Sequence, residues 1–125
     1  MSVFQQIEPQ HYVFETEYFF AIYDRFPVSP GHLLIISKAL KLDYFSLDEI
    51  EKNDLIIAIK CGKEEVEKQH SPSGYNIGMN CGEDAGQTVM HFHCHIIPRY
   101  KGDMKNPRGG IRHCVEGKEI GRAHV

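Results

Sequence analysis

The chain has no tryptophan, no Cys-x-x-Cys pair and no apolar run approaching the ~18 residues of a membrane span. Each absence narrows the field. Without paired cysteines there is no zinc ribbon and no redox dithiol. A chain of 125 residues can build a core without a disulfide framework, so Cys61, Cys81, Cys94 and Cys114 are expected as free thiols. Residues 1–6 carry neither the basic nor the apolar region of a secretion signal, which makes the cytoplasm the expected location and gives no reason for a membrane partner. No G-x-x-x-x-G-K-[S/T] loop occurs, so any phosphate is held by side chains rather than by a helix N-terminus. Repeats and low-complexity segments are also missing, and a single domain over 1–125 is the simplest organisation.

A large excess of either charge is lacking too. A formal net charge of −3 argues against a general nucleic-acid surface. The sum conceals a division, because residues 1–90 hold 7 Lys/Arg against 14 Asp/Glu, whereas residues 91–125 hold 7 against 3. The basic part includes Arg99, Lys101, Lys105, Arg108 and Arg112, a placement that favours an anionic ligand such as phosphate.

The basic part opens on the most informative stretch of the chain, Gln87-Thr88-Val89-Met90-His91-Phe92-His93-Cys94-His95-Ile96-Ile97-Pro98-Arg99. A strand has a side-chain period of two, so His91, His93 and His95 share one face while Phe92, Cys94 and Ile96 take the core side. Pro98 lacks a ladder donor and is expected at or just past the strand's end. One histidine on a strand is ordinarily a satisfied or solvated residue. Three in strict alternation mark a site, because imidazole near neutral pH serves as nucleophile, proton carrier or metal ligand.

Around this stretch the pattern predicts a short helical turn at 3–7 and a β-hairpin from the aromatic-rich 12–14 and 18–23. A loop at 24–31 and a short strand at 32–37 follow. Ser46 with Glu49 three residues later reads as a capping box. The helix it opens carries Leu47, Ile50, Leu55, Ile59, Gly62 and Val66 on its apolar face. Glu51, Lys52, Lys60, Lys63 and Glu67 fall on a solvated face, and Ser71-Pro72-Ser73-Gly74 stops the helix near His70. Strands at 74–80 and 90–97, with a glycine-bearing loop between them, complete an α+β class with an antiparallel sheet.

The histidine stretch resembles the signature of the histidine triad family, His-x-His-x-His followed by two apolar residues and preceded by Gln-Thr-Val. Pro27-Val28-Ser29-Pro30-Gly31-His32 with the apolar run at 33–36 resembles that family's Pro-Gly-His strand opening. Tyr75-Asn76-Ile77-Gly78-Met79-Asn80 and the loop at 81–86 also match, so the resemblance covers about residues 3–105. It implies an antiparallel five-stranded sheet with one long and one short helix, followed by an irregular tail at 106–125. It also implies that His93 attacks the α-phosphorus of a nucleotide and forms a nucleotidyl-histidine that water resolves, with no metal or cofactor. The tautomer of His93 would be fixed by a backbone carbonyl of the same strand. His95 would stabilise charge on the phosphoryl group and leaving atom, with His91 and His32 as a supporting relay. Asp24, eight residues before His32, would hold the ribose hydroxyls. Gln87 and Thr88 would donate to α-phosphate or leaving-group oxygens, Asn80 would contact the phosphate-proximal part, and Val3, Phe4 and Ile22 would sandwich a purine base. A homodimer joining two sheets is a further implication, whereas the zinc site that some members build from paired cysteines and histidines is not expected.

Within the family, Pro98-Arg99 after the triad resembles the members that cleave dinucleoside polyphosphates and the general bacterial type. The lack of tryptophan removes the C-terminal feature of the phosphoramidase branch, while Asp24 and the small layout fit that branch. The expected activity is nucleotidyl hydrolysis at the α-phosphate of adenosine di- or polyphosphate derivatives, with an adenosine phosphoramidase as the alternative. Two readings from other classes stand beside it. One is a metal-site enzyme built on His91, His93 and His95 with Glu83 or Asp84; the other is a nucleotide-binding or signalling module.

Overall fold

The computed structural model describes residues 1–120. Its strands are β1 (Phe14–Glu15), β2 (Phe19–Tyr23), β3 (Leu33–Ser37), β4 (Gly74–Gly78) and β5 (His93–Arg99), and its one α-helix among the described residues is α1 (Glu49–Val66). The strands form a single sheet in the order β1-β2-β3-β5-β4, antiparallel throughout. The histidine strand therefore lies inside the sheet and α1 covers one face of it. Phe19, Ala21, Leu33, Ile35, Phe92, Cys94 and Ile96 meet Leu55, Ala58 and Val66 there, which is the core side that the alternation predicts. All four cysteines are free, and burial pushes the Cys94 thiol up to about 12, so it stays protonated as a packing group. The other face carries a second apolar cluster, Phe4, Phe20, Ile22, Leu34 and Ile36, beside the histidine row. No helix among the described residues is long and apolar enough to cross a membrane.

The β1–β2 hairpin is tied to α1 by one carboxylate. Asp54 Oδ2 accepts from Thr16 Oγ1 at 2.7 Å and from the Tyr18 N–H at 2.8 Å. These bonds satisfy a turn that has no other strand to pair with.

Several boundaries differ from the sequence expectation. The helix is capped by Asp48 and not by Ser46: Asp48 Oδ1 accepts the Glu51 N–H at 2.8 Å, and Glu51 Oε1 accepts the Asp48 N–H at 2.9 Å. A carboxylate suits the positive helix end better than a hydroxyl, and Ser46 is consumed by a 3₁₀ turn, Tyr44–Ser46, that Asp43 caps. Glu51 is therefore buried rather than solvated, and it also pairs with Lys41 Nζ at 3.4 Å. Ile50 turns outward and is 61% exposed. The helix stops at Val66, with the chain to His70 continuing as a turn in which the His70 N–H still reaches the Val66 carbonyl. Pro98 falls within β5, opposite Tyr75. Strand β3 has already ended opposite Ile96, so Pro98 is paired on one side only and a missing donor is tolerated. Among the described residues, the short helix of the expected fold is replaced by 3₁₀ turns, one of them Val3–Gln6, which Ser2 and Gln5 close as a capping box. The tail forms one such turn, Gly110–Cys114, and its last part, 121–125, lies outside the described residues.

Replacing Asp54 by Ala leaves the hairpin donors without their acceptor, and we expect urea unfolding to show a loss of about 1–3 kcal/mol. Unchanged stability would mean that the hairpin is held by packing alone.

Candidate active site

β5 is registered against β3 so that Ile36 faces His93 and Leu34 faces His95. The His93 and His95 rings are 5.4 Å apart between centroids. His91 precedes the strand, yet its ring stays in the row: Phe4 stands edge-on at 5.5 Å from His91 and 5.0 Å from His93. Gly31, just before His32, has φ +89°, and a side chain there would press against His70 and Pro98. That bend brings His32 to His95.

The hydrogen-bond partners decide where each ring proton sits. His93 Nδ1 lies 2.8 Å from the His91 carbonyl, which only accepts, so Nδ1 holds the proton and Nε2 keeps its lone pair. The acceptor is a backbone carbonyl, as expected, but it belongs to a residue just before β5 and not to the strand itself. His32 Nδ1 accepts from the Val28 N–H at 3.2 Å, which puts the His32 proton on Nε2. From there it is donated to His95 Nδ1 at 2.9 Å, and a neutral His95 must then carry its own proton on Nε2. His91 Nε2 donates to the Ser37 carbonyl at 2.7 Å, while its Nδ1 accepts from Ser2 Oγ, a hydroxyl that also receives the Phe4 N–H. The row thus offers one bare nitrogen, on His93, beside one N–H donor, on His95. His91 is a strut whose ring is fully engaged, and its part in a relay is limited to its carbonyl.

Burial keeps the supporting rings neutral. Desolvation lowers the His32 pKa, opposed by the Asp24 carboxylate. Desolvation also lowers His91, opposed by the Ser37 carbonyl and assisted by His93. His95 is held down to about 4, first by burial and then by His93 and His32.

Asp24 Oδ2 stands 3.6 Å from His32 Nε2, and Asp24 Oδ1 accepts the Phe26 N–H at 2.8 Å. Asp24, His32 and His95 place one ligand atom each within 4.8 Å of one another, the spacing of a metal site. The proton positions argue against that use. A cation held by both His32 Nε2 and His95 Nδ1 would drive the His32 proton onto Nδ1, against the Val28 N–H. Nor does the row itself suit a metal, since both His91 nitrogens are engaged and Glu83 and Asp84 lie in the exposed turn Glu83–Ala85.

Gln87 differs from its expected role. It is buried, and its Nε2 donates to the Leu42 and Val89 carbonyls at 2.7 and 3.2 Å while Oε1 accepts the Gly82 N–H at 2.8 Å. Its two donors brace the loop before the histidines instead of facing a phosphate. Asn80 and Thr88 are exposed around that loop. Val3, Phe4 and Ile22 come together as expected, lining a cleft of about 750 Å³ with Ile7, Leu34 and Val89 and a polar rim that includes Gln6, His11 and Arg25. Sequence reasoning missed Ser2, whose only signal is its place three residues before Gln5, and Val28, whose contribution is a backbone N–H that no residue type advertises.

Residues 5–102 match the HIT domain family. The chain belongs to the histidine triad (HIT) family. It is 42% identical over 97 residues to a HIT-like protein of Methanocaldococcus jannaschii, covering 76% of this chain and 73% of that one. It is 42% identical over 78 residues to the asymmetrical bis(5'-nucleosyl)-tetraphosphatase of Schizosaccharomyces pombe, covering 62% of this chain and 43% of the relative. The bis(5'-adenosyl)-triphosphatase of Dictyostelium discoideum is 38% identical over 93 residues, with coverage of 74% and 62%. The HIT chain thus spans less than two thirds of the length of several curated relatives it matches, the two phosphatases among them. A crystal structure of a HIT family member from Bacillus subtilis superposes with a TM-score of 0.74 at 31% identity, covering 82% of this chain and 75% of that chain.

Two outcomes test this site. The lowered pKa of His32, His91 and His95 means that the unfolded chain binds more protons than the folded one between about pH 4 and 6.5. Stability is therefore complete above that window and falls as the pH drops through it, with a lower urea midpoint expected at pH 5 than at pH 7. Equal midpoints would contradict the buried neutral rings. Gln87→Ala is expected to cost about 1–3 kcal/mol in thermal unfolding; a variant of full stability that loses only activity would return Gln87 to the phosphate.

Proposed function

We propose that this HIT protein is a nucleotidyl hydrolase acting at the α-phosphate of adenosine di- or polyphosphate derivatives. The observation that carries the reading is the pairing of a bare His93 Nε2 with an adjacent His95 Nε2–H, on one face and next to an apolar cleft. His93 Nε2 forms a bond to phosphorus while the bond from phosphorus to the leaving oxygen breaks; His95 donates to that oxygen as its charge grows. The phosphorylated imidazole then carries a positive charge, which its Nδ1–H shares with the His91 carbonyl. Water attacks the phosphorus and returns a proton to His95 Nε2, the P–N bond breaks with its electron pair going back to His93 Nε2, and AMP leaves.

The cleft lined by Val3, Phe4 and Ile22 fits a purine between apolar walls. Asp24, whose carboxylate stands 3.6 Å from His32 Nε2, is assigned to the ribose hydroxyls, with the exposed Thr88 and Asn80 assigned to the phosphate side. The names of the two phosphatase relatives support a dinucleoside polyphosphate as substrate. A second copy of the chain is the proposed partner, since β4 forms an edge of the sheet and its Ile77 is half exposed.

Intact-mass spectrometry after brief mixing with diadenosine polyphosphate is expected to show one transient AMP on the wild type and none on His93→Ala. No adduct and no released AMP from either protein would leave a nucleotide-binding module. A kcat/KM that strongly favours adenosine phosphoramidate would move the substrate to the phosphoramidase class.

A further inference from the structure

We propose that a groove beyond His95, on the face of the histidine row, binds the polyphosphate leaving group. The proposal rests on the hydrolase reading above and adds a subsite to it. On β5 the face that carries His93 and His95 continues with Ile97 and Arg99, two and four residues further on. The neighbouring strand places Gly78 opposite His95 and Asn76 opposite Ile97. The apolar cleft lies on the opposite side of the row, over β2 and β3: Phe4 touches His91 and His93, and Ile22 and Leu34 line up across the sheet with His95. A nucleoside seated in that cleft with its phosphorus on His93 therefore leaves the β4 side of the row, beside His95 and Ile97, to the departing group.

A cavity of about 350 Å³ lies there, lined by Ser29, Asn76, Ile97, Arg99 and His113. It shares Asn76, Arg99 and Asp103 with a second cavity of about 580 Å³, to which Lys101 and Lys105 contribute. The tail roofs the near end: Ile111 Cδ1 sits 3.7 Å from the place where a Cβ on Gly78 would stand. Ser29 Oγ is buried, and no hydrogen-bond partner for it lies among the described residues. Arg99 is held by Asp103 through Nε and Nη2, at 2.8 and 2.7 Å, and donates through Nη1 to Asn76 at 2.6 Å. That ion pair is nearly neutral, so Lys101 and Lys105 supply the excess positive charge. A chain of phosphates offers acceptors for the Ser29 hydroxyl and negative charge for the two lysines, whereas ammonia released from a phosphoramidate reaches neither. The basic character that begins at the histidine strand thereby acquires a use.

Three substitutions in two variants test this. Ser29→Ala removes a hydroxyl that has no partner among the described residues, so its thermal midpoint stays or rises, while kcat/KM for diadenosine tetraphosphate falls about fivefold. Lys101→Gln combined with Lys105→Gln lowers the same kcat/KM about tenfold at low salt and reduces its salt dependence. Both variants hydrolyse adenosine phosphoramidate at the wild-type rate. Equal loss on both substrates, or no loss on either, overturns the groove. Calorimetric titration with inorganic triphosphate gives a readout without turnover, and the double lysine variant is expected to bind more weakly than the wild type. Identical binding would overturn the groove even in an active enzyme. Retained, lysine-dependent binding by a wild type that turns over no nucleotide would instead overturn the hydrolase reading and leave a polyphosphate-binding site.

Discussion

The site depends on where four imidazoles keep their protons, and backbone groups decide it. The His91 carbonyl holds the proton of His93 on Nδ1. The Val28 N–H forces the proton of His32 to Nε2, and His32 passes that orientation to His95. The Ser37 carbonyl fixes His91 in the same manner. These groups belong to the loop before β3, the end of β3 and the residue pair before β5, so the antiparallel pairing of β3 with β5 is what aligns them. Side chains of one type are thereby assigned opposite tasks, an electron-pair donor and a proton donor 5.4 Å apart between ring centroids.

Packing on the far face supports this arrangement. Phe92, Cys94 and Ile96 alternate with the histidines and are buried under α1, which prevents β5 from slipping by one residue and turning the imidazoles inward. Burial of His32, His91 and His95 keeps those three rings neutral at the cost of stability in acid, so the rings that support His93 also make the fold sensitive to pH.

The strand alternation was legible in the sequence because period two is a property of the backbone, and the Pro-Gly-His turn was legible because a positive φ selects glycine at Gly31. Residues whose role is set by a distant partner were not. Gln87 reads as a phosphate donor until the Leu42 carbonyl, 45 positions away, is seen to occupy it. Asp48 and Ser46 are both good caps by residue type, and only the preceding 3₁₀ turn decides between them. Glu51 looked solvated because helical spacing reports a face and not a salt bridge to Lys41. Ser29 carried no signal as an orphan hydroxyl, since burial without a partner is a tertiary property.

The tautomers are the central claim, and long-range ¹H–¹⁵N NMR of the imidazole rings at pH 7 reads them directly. The account predicts His93 protonated on Nδ1 alone, with Nε2 bare, and His95 protonated on Nε2 alone. A His93 protonated on Nε2, or a His95 carrying two protons at that pH, would contradict it.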